Sequence, residues 1–479
     1  MNLLQFRRFR PKFAFFLPYL PKSATTSSYS LGWLPKSGGF LFLFFFSLTA
    51  FAANYYVTEL GGGNHSGTSL GNSWSIGDFN RSGKPTGGDT VFFFGVFTST
   101  VIPAKGGNGA ARLTLDMTGA TLTNTDPRIQ INNLTYLTLK GGNFGSSYSG
   151  GIISFNGGGA PAHDITIEGC SYTGVANGIA IFLSLNHVYN LVLSNCTVDN
   201  VSMFVLGDST LNHDIDITGC YARTSTDTIA QDDLIHIGDA ANITIEKCKL
   251  IGRAPASSTG RHNDIVQNFK KGGTNNPGNP TNWVIRYNWF EMQNVSGSGD
   301  ASFLMFQSMA GNPALKLYGN VFLGSGTIGN NGVCVGRNVG GSYYCYNNTF
   351  IRHNNPDNTV RFMDSGTVYA KNNLGMSDPS VGVYQHFLNF TMAIGACDYN
   401  FWYLTYSPSH YAGPHGSATV NPLFTNYAGH DFSLSSSSPL RGKGDRSIGP
   451  EYSLGIAPGA TWPNPALISR SASWNVGAY

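Results

Sequence analysis

Apolar and polar positions alternate along most of this chain over runs of five or six residues, and each run ends at a turn. His163-Asp-Ile-Thr-Ile-Glu-Gly-Cys170 is followed by Tyr189-Asn-Leu-Val-Leu-Ser-Asn-Cys196, then His213-Asp-Ile-Asp-Ile-Thr-Gly-Cys220 and Ala241-Asn-Ile-Thr-Ile-Glu-Lys-Cys248. Later copies close on Asn: Thr281-Asn-Trp-Val-Ile-Arg-Tyr-Asn288, Pro313 to Asn320, Gly341 to Asn348 and Gly366 to Asn373. An earlier copy, Leu134 to Gly142, precedes them, and successive copies end 24 to 40 residues apart. Alternation with a period of two is the signature of a half-buried strand.

A second short apolar run precedes each copy, as in Ile179-Ala-Ile-Phe182, Met203-Phe-Val-Leu206, Leu234-Ile-His-Ile237 and Phe303-Leu-Met-Phe306. Helical periodicity is essentially absent, so no helices are expected. Two or three short strands per unit of about 25 residues describe one coil of a solenoid, which cannot bury its inner face alone and closes a core only by stacking. The pattern predicts an all-β parallel β-helix of about ten coils. Variable spacing then means loops inserted between strands.

Stacking places Cys170, Cys196, Cys220 and Cys248 in one column, continued by Asn288, Asn320, Asn348 and Asn373. At a rung spacing of about 4.8 Å, each Asn side chain is expected to bond the next. The same spacing is too long for paired Cβ atoms in a disulfide, and seven cysteines is an odd number. The cysteines are therefore expected to be free, acting as small buried hydrophobes.

Charge separates the N-terminus from the rest. The 29 Lys+Arg and 26 Asp+Glu give +3 overall, but residues 1–52 hold six basic residues and no acidic one, which leaves −3 for the remainder. Phe40 to Thr49 is an apolar run flanked by Lys36 and followed by Ala50-Phe51-Ala52, the anatomy of a secretory signal peptide. The expectation is a leader over 1–52 with cleavage near Ala52 and a secreted or cell-surface product. The leader is unusually long before Lys36, so a start downstream of Met1 is an open alternative. Nothing beyond it is apolar for 18 residues, so no stable membrane span is expected in the mature chain. Basic runs are confined to Lys270-Lys271, which speaks against a nucleic-acid partner.

With its repeats, the chain resembles right-handed parallel β-helix proteins of the pectate-lyase-like superfamily, over most of residues 54–479. Tyr55 to Asn64 through Trp74 to Phe79 is similar to the N-terminal end of secreted members, Gly87 to Phe94 to their first coil, and Asp431-Phe-Ser-Leu434 with Asn475 to Tyr479 to their C-terminal end. The resemblance implies an N-terminal cap over about 53–100, coils over about 101–405 and a C-terminal segment over about 406–479.

Polar residues are densest at Gln231-Asp-Asp-Leu-Ile-His-Ile-Gly-Asp239 and Arg261-His-Asn-Asp-Ile-Val-Gln267. Aligning the two runs puts Asp233 over Asp264 and His236 over Gln267. Stacked carboxylates repel unless a cation or a shared proton relieves them, which suits an acid/base pair or a Ca²⁺ site. The Asp232-Asp233 run followed by His262 resembles polygalacturonase-type glycoside hydrolases. That resemblance implies Asp233 as acid, Asp232 activating water and His262 tuning both, with Asp264 as a further candidate. It departs where Asn200-Val-Ser202 and Phe303-Leu-Met-Phe306 replace an expected Asp and an Arg-x-Lys.

The leading expectation is hydrolysis of an acidic or plant/algal polysaccharide without a cofactor, with His236, Gln267, Arg261, Lys270 and Lys271 contacting substrate. One alternative is a calcium-dependent lyase, with Asp233, Asp239 and Asp264 holding the ion and Arg261, Lys270 or Lys271 as base. Another is a non-catalytic glycan-binding or adhesion β-helix, in which the Asp residues only cap turns through the backbone. Aromatic positions such as Trp283, Trp289, Tyr343 and Tyr346 are expected mostly in the core, and Trp402 and Tyr403 are expected at a loop contact.

Overall fold

The computed structural model describes residues 52–479 apart from 124–127, 146–148, 157–158, 176–178, 208, 210, 226–232, 255–261, 270–279, 295–299, 326–330, 352–357, 378–385, 405–410 and 471–472. The expected leader, save Ala52, lies outside the described residues. No helix among the described residues is long and apolar enough to cross a membrane.

The alternating runs form three parallel ladders. The first face stacks Ala162–Glu168, Val188–Ser194, His213–Thr218, Ala241–Glu246 and Thr281–Arg286 on one another in register. The second face, entered through the Cys/Asn corner, carries Thr197–Val201, Tyr221–Thr224, Lys249–Ala254, Trp289–Asn294 and Val321–Ser325. The third carries Ile179–Leu185, Met203–Gly207, Ile235–Gly238, His262–Phe269 and Asp300–Gln307. The result is a parallel β-solenoid of about eight regular turns. The expected ten or so counted every repeat as a full coil, and the repeats at the two ends are irregular.

Inward positions such as Ile165, Leu191, Ile215, Ile243 and Trp283 are fully or almost fully buried, and Phe290, Phe322 and Phe350 stack at 5.0 and 4.9 Å inside the coil. Each corner between the first and second faces turns on a left-handed residue just before the Cys or Asn: Gly169, Asn195, Gly219, Lys247, Tyr287, Gly319, Asn347, Asn372 and Tyr399. The column that follows behaves as expected and continues one rung further, to Asn400. Nδ2 of Asn288, Asn320, Asn348 and Asn373 donates to Oδ1 of the next Asn at 2.9–3.1 Å. All seven cysteines are free. Their column bonds through sulfur to backbone carbonyls, as Cys248 does to the Glu246 oxygen at 3.2 Å.

Among the described residues one α-helix departs from the all-strand expectation. Ile76–Arg81 begins at a capping box in which Ser75 Oγ accepts from the Asp78 N–H while the Asp78 carboxylate accepts from the Ser75 N–H, and it buries Ile76 and Phe79. Six residues are too few for helical periodicity to register in the sequence.

The C-terminal segment folds as two short antiparallel pairs, Phe424–Asn426 with Asp431–Leu434 and Leu454–Ile456 with Leu467–Ser469. It lies against outward aromatic and aliphatic residues of the late coils. Tyr287, Tyr318 and Tyr346 pack with Tyr452 and Trp474, and Trp289, Val321, Leu323 and Ile351 pack with Phe432 and Tyr479. Trp402 is 1% exposed and belongs to the core inside the coil, in the column that carries Phe322 and Phe350, while Tyr403 packs against the Trp289 cluster, so the loop contact expected of them is replaced by burial. For Tyr403 the reason is tertiary: outward strand positions become core wherever this segment covers them.

Candidate functional site

The third face carries the polar cluster. Ile235 and Ile237 point inward and are buried, so His236 between them faces outward with a side chain 20% exposed. His236 is opposite Gln267 on the next rung, as the alignment of the two runs expects. The Leu234 N–H donates to the Asp264 carbonyl at 2.9 Å, which sets Asp233 beside Asp264.

The carboxylate of Asp233 is held from two sides. Its Oδ1 accepts from the Asp264 N–H at 2.8 Å, and its Oδ2 lies 2.7 Å from His236 Nδ1. Asp233 is 4% exposed and Asp264 1%. The Asp233 carboxylate thus has a backbone donor and an imidazole as partners. The His236 ring leans on Phe269 at 4.3 Å, which fixes its plane. An imidazole anchored at Nδ1 by a carboxylate has its tautomer and orientation set for proton transfer at Nε2.

Several expected site residues fall elsewhere. Asp232, Arg261, Lys270 and Lys271 lie outside the described residues. His262 opens its strand in register with Asp300. Gln267 is in place but only 8% exposed, so a substrate contact there gives way to packing. Asp239 sits past the far end of strand Ile235–Gly238, in a left-handed corner conformation that Asp tolerates. The strand Ile235–Gly238 lies between it and Asp233. Asp233, Asp239 and Asp264 therefore do not converge on one ion, and among the described residues no group of three or more His, Cys, Asp or Glu is placed to hold a metal.

The first face holds a second polar array that the repeats spell out but whose role sequence alone leaves open. Asp164, Asn190, Asp214, Asn242 and Asn282 are left-handed at the start of successive strands. Asn242 Nδ2 donates to Asp214 at 2.7 Å and Asn282 Nδ2 to Asn242 at 2.8 Å. His163, Tyr189 and His213 stack beside them at 4.7 and 4.9 Å. Asp164, Asn190, Asp214, Asn242 and Asn282 line a cleft of about 390 Å³. Arg112 at its end is spent on the Leu137 and Asp164 carbonyls. The array joins rungs to one another.

The feature of the third face that sequence reasoning undervalued is the Asp-x-x-His spacing of Asp233 and His236. A turn into the strand lets the two side chains meet, whereas strand alternation alone would set them on opposite sides.

No protein-family model and no curated protein matches the chain. Among solved structures it is similar to the pectate lyase Pel9A, with 15% identity and a TM-score of 0.49 over 90% of this chain and 96% of that one. It is also similar to a GH136 lacto-N-biosidase from Eubacterium ramulus, at 12% identity and a TM-score of 0.36 over 73% of this chain and 67% of that one. A rhamnogalacturonan lyase matches at 13% identity and a TM-score of 0.35 over 60% of this chain and 86% of that one.

Proposed function

We propose that the protein is a carbohydrate-active enzyme that cleaves an acidic polysaccharide, with His236 as its proton-transfer group and Asp233 as the residue that positions it. The observation that carries this reading is the 2.7 Å contact between Asp233 Oδ2 and His236 Nδ1 on the outer side of a stacked strand. The names of the similar solved structures agree with it, but the reading does not rest on them.

The same geometry favours elimination over the hydrolysis expected from sequence. Hydrolysis needs two carboxyl groups flanking the scissile bond, one of them able to give up a proton. Asp233 and Asp264 are buried, and Asp233 is engaged at both oxygens. Elimination needs one base to remove the C5 proton α to a uronate carboxylate; the C–H pair forms the C4–C5 double bond, and O4 leaves C4 with its bonding pair and takes up a proton from the protonated base or from water. His236 suits that base. Arg261, Lys270 and Lys271 flank its neighbouring strand in sequence, and we assign them the neutralisation of the uronate charge.

The test is incubation of the purified mature protein with polygalacturonate, alginate and rhamnogalacturonan. Ultraviolet absorbance of an unsaturated uronate is expected, and its loss in His236→Ala. Reducing ends without that absorbance would establish hydrolysis instead. Absence of any product, or full activity in His236→Ala, would overturn the reading.

A further inference from the structure

On the second face, at the edge of the C-terminal segment, a cleft of about 340 Å³ opens over Lys249, Trp289 and Glu291. Lys249 and Trp289 are opposite one another on adjacent rungs, and Glu291 is the next outward residue along the Trp289 strand. The facing wall is supplied by His430, Asp431, Trp462 and Tyr479. Neither the solenoid nor the C-terminal segment forms this cleft alone.

Its parts are held in place. The Trp289 ring is backed by Phe432, stacked at 5.8 Å and 15°, and meets Trp462 at 5.8 Å and 53°. Lys249 Nζ lies over the Trp289 ring, 5.9 Å from its centre. The Glu291 carboxylate accepts from Trp289 Nε1 at 3.2 Å and from Gln293 Nε2 at 2.7 Å, and Asp431 Oδ1 accepts from the Ser433 N–H at 3.0 Å. Trp462, Asp431, Glu291 and Lys249 are all partly open to solvent.

We propose that this cleft is a binding site for a neutral, hydroxyl-rich sugar unit, distinct from the third-face cluster. The Trp462 indole, partly open to solvent and set at an angle against the buried Trp289 ring, offers flat apolar surface to the C–H face of a pyranose, the kind of face that aromatic side chains cover best. Two carboxylates are acceptor-only groups that take sugar hydroxyl protons, and the Lys249 ammonium donates to a hydroxyl or ring oxygen. Two carboxylates against one ammonium leave the lining negative, which repels a uronate or a phosphate. The nearby guanidinium of Arg223 does not reverse this, because it is forked onto Asp199 at 2.6 Å through both Nε and Nη2. An apolar ligand would strand three charged groups without water. A neutral glycan satisfies the aromatic and the charged lining together.

Calorimetric titration of the full mature protein with cellotetraose, mannotetraose, galactotetraose and tetragalacturonate tests this. At least one neutral tetrasaccharide is expected to bind, with affinity at least tenfold weaker in Trp462→Ala and largely kept in Trp462→Phe. Asp431→Asn, which retains the oxygen that accepts from Ser433, is expected to weaken binding severalfold and serves if Trp462→Ala fails to fold. His236→Ala is expected to bind the sugar as the unaltered protein does, so this site and the third-face reading fail separately. The proposal is overturned if no neutral tetrasaccharide binds, if tetragalacturonate binds more tightly than all of them, or if folded Trp462→Ala or Asp431→Asn binds as before.

Discussion

Oδ1 of Asn320 accepts two hydrogen bonds from Asn288 on the preceding turn, from the backbone N–H at 3.0 Å and from Nδ2 at 3.1 Å. Asn320 in turn donates from Nδ2 to the Ile285 carbonyl at 2.9 Å and to Asn348 Oδ1 at 3.0 Å. The motif repeats down the corner to Asn400, with every member fully buried. Each residue thus ties its own turn to both neighbours.

Asn320→Ala is expected to strand buried donors on Asn288 and an acceptor at Ile285, costing about 2–4 kcal/mol. Asn320→Asp keeps the acceptor for Asn288 but loses both donors and sets a carboxylate against Asn348 Oδ1, so it is expected to be at least as damaging. Urea unfolding followed by far-ultraviolet circular dichroism measures both. A midpoint unchanged in either variant would show that the ladder contributes nothing to the stacking.

Burial pushes the Cys334 thiol up to about 11 and the Cys397 thiol up to about 12, with Cys345 shifted the same way. An unfolded thiol ionises near 8.5. The folded state therefore holds more protons above that pH, and the contribution of these thiols is complete below about pH 8.5 and lost as pH rises toward 11–12. Unfolding midpoints measured from pH 7 to 11 are expected to fall, and to fall less steeply in Cys334→Ala/Cys397→Ala. Thiol reagents are expected to label the native protein slowly at pH 8 and all seven cysteines after denaturation, with no effect of prior reduction.

Asp233→Asn preserves an oxygen for the Asp264 N–H but no longer supplies a carboxylate to His236 Nδ1. Polysaccharide cleavage is expected to fall about 10²–10⁴-fold in kcat, with KM changed far less. Circular dichroism and the unfolding midpoint are expected to change little. A pH–rate profile displaced relative to the unaltered protein separates positioning of His236 from a purely structural role, which would leave the profile where it was.

Arg470 fastens the C-terminal segment. Its guanidinium donates to the carbonyls of Leu454, Asn475, Tyr479 and Gly477 at 2.7–3.1 Å. Arg470→Ala leaves these acceptors to water or unpaired, at a cost of roughly 3 kcal/mol localised to this segment. Limited proteolysis is expected to cut within 424–479 faster in this variant while the coils persist. Equal cutting rates would show that the apolar contacts alone secure the segment.

The chemistry was less legible than the ladders, and individual residues show why. Asp239 reads as a calcium ligand only until its left-handed backbone is known, after which Asp is simply a residue that tolerates the conformation. Asp233 and His236 were both visible, yet their roles depend on a turn that brings two side chains together across three residues. Trp289 alternates like any outward strand residue. Its burial, and the cleft above it, are set by a segment more than 130 residues away in the chain.

What sequence alone determined was everything that follows from a period. Alternation over five or six residues makes strands, a repeat of about 25 makes coils, and a constant corner residue makes a column, because each depends on a residue and its nearest rung. What only the tertiary structure decided was which outward positions stay outward. The C-terminal segment turns Trp289 into core and builds a cleft at its edge, and the short contact to Asp233 orients the His236 ring. These outcomes depend on contacts between residues that no local period relates.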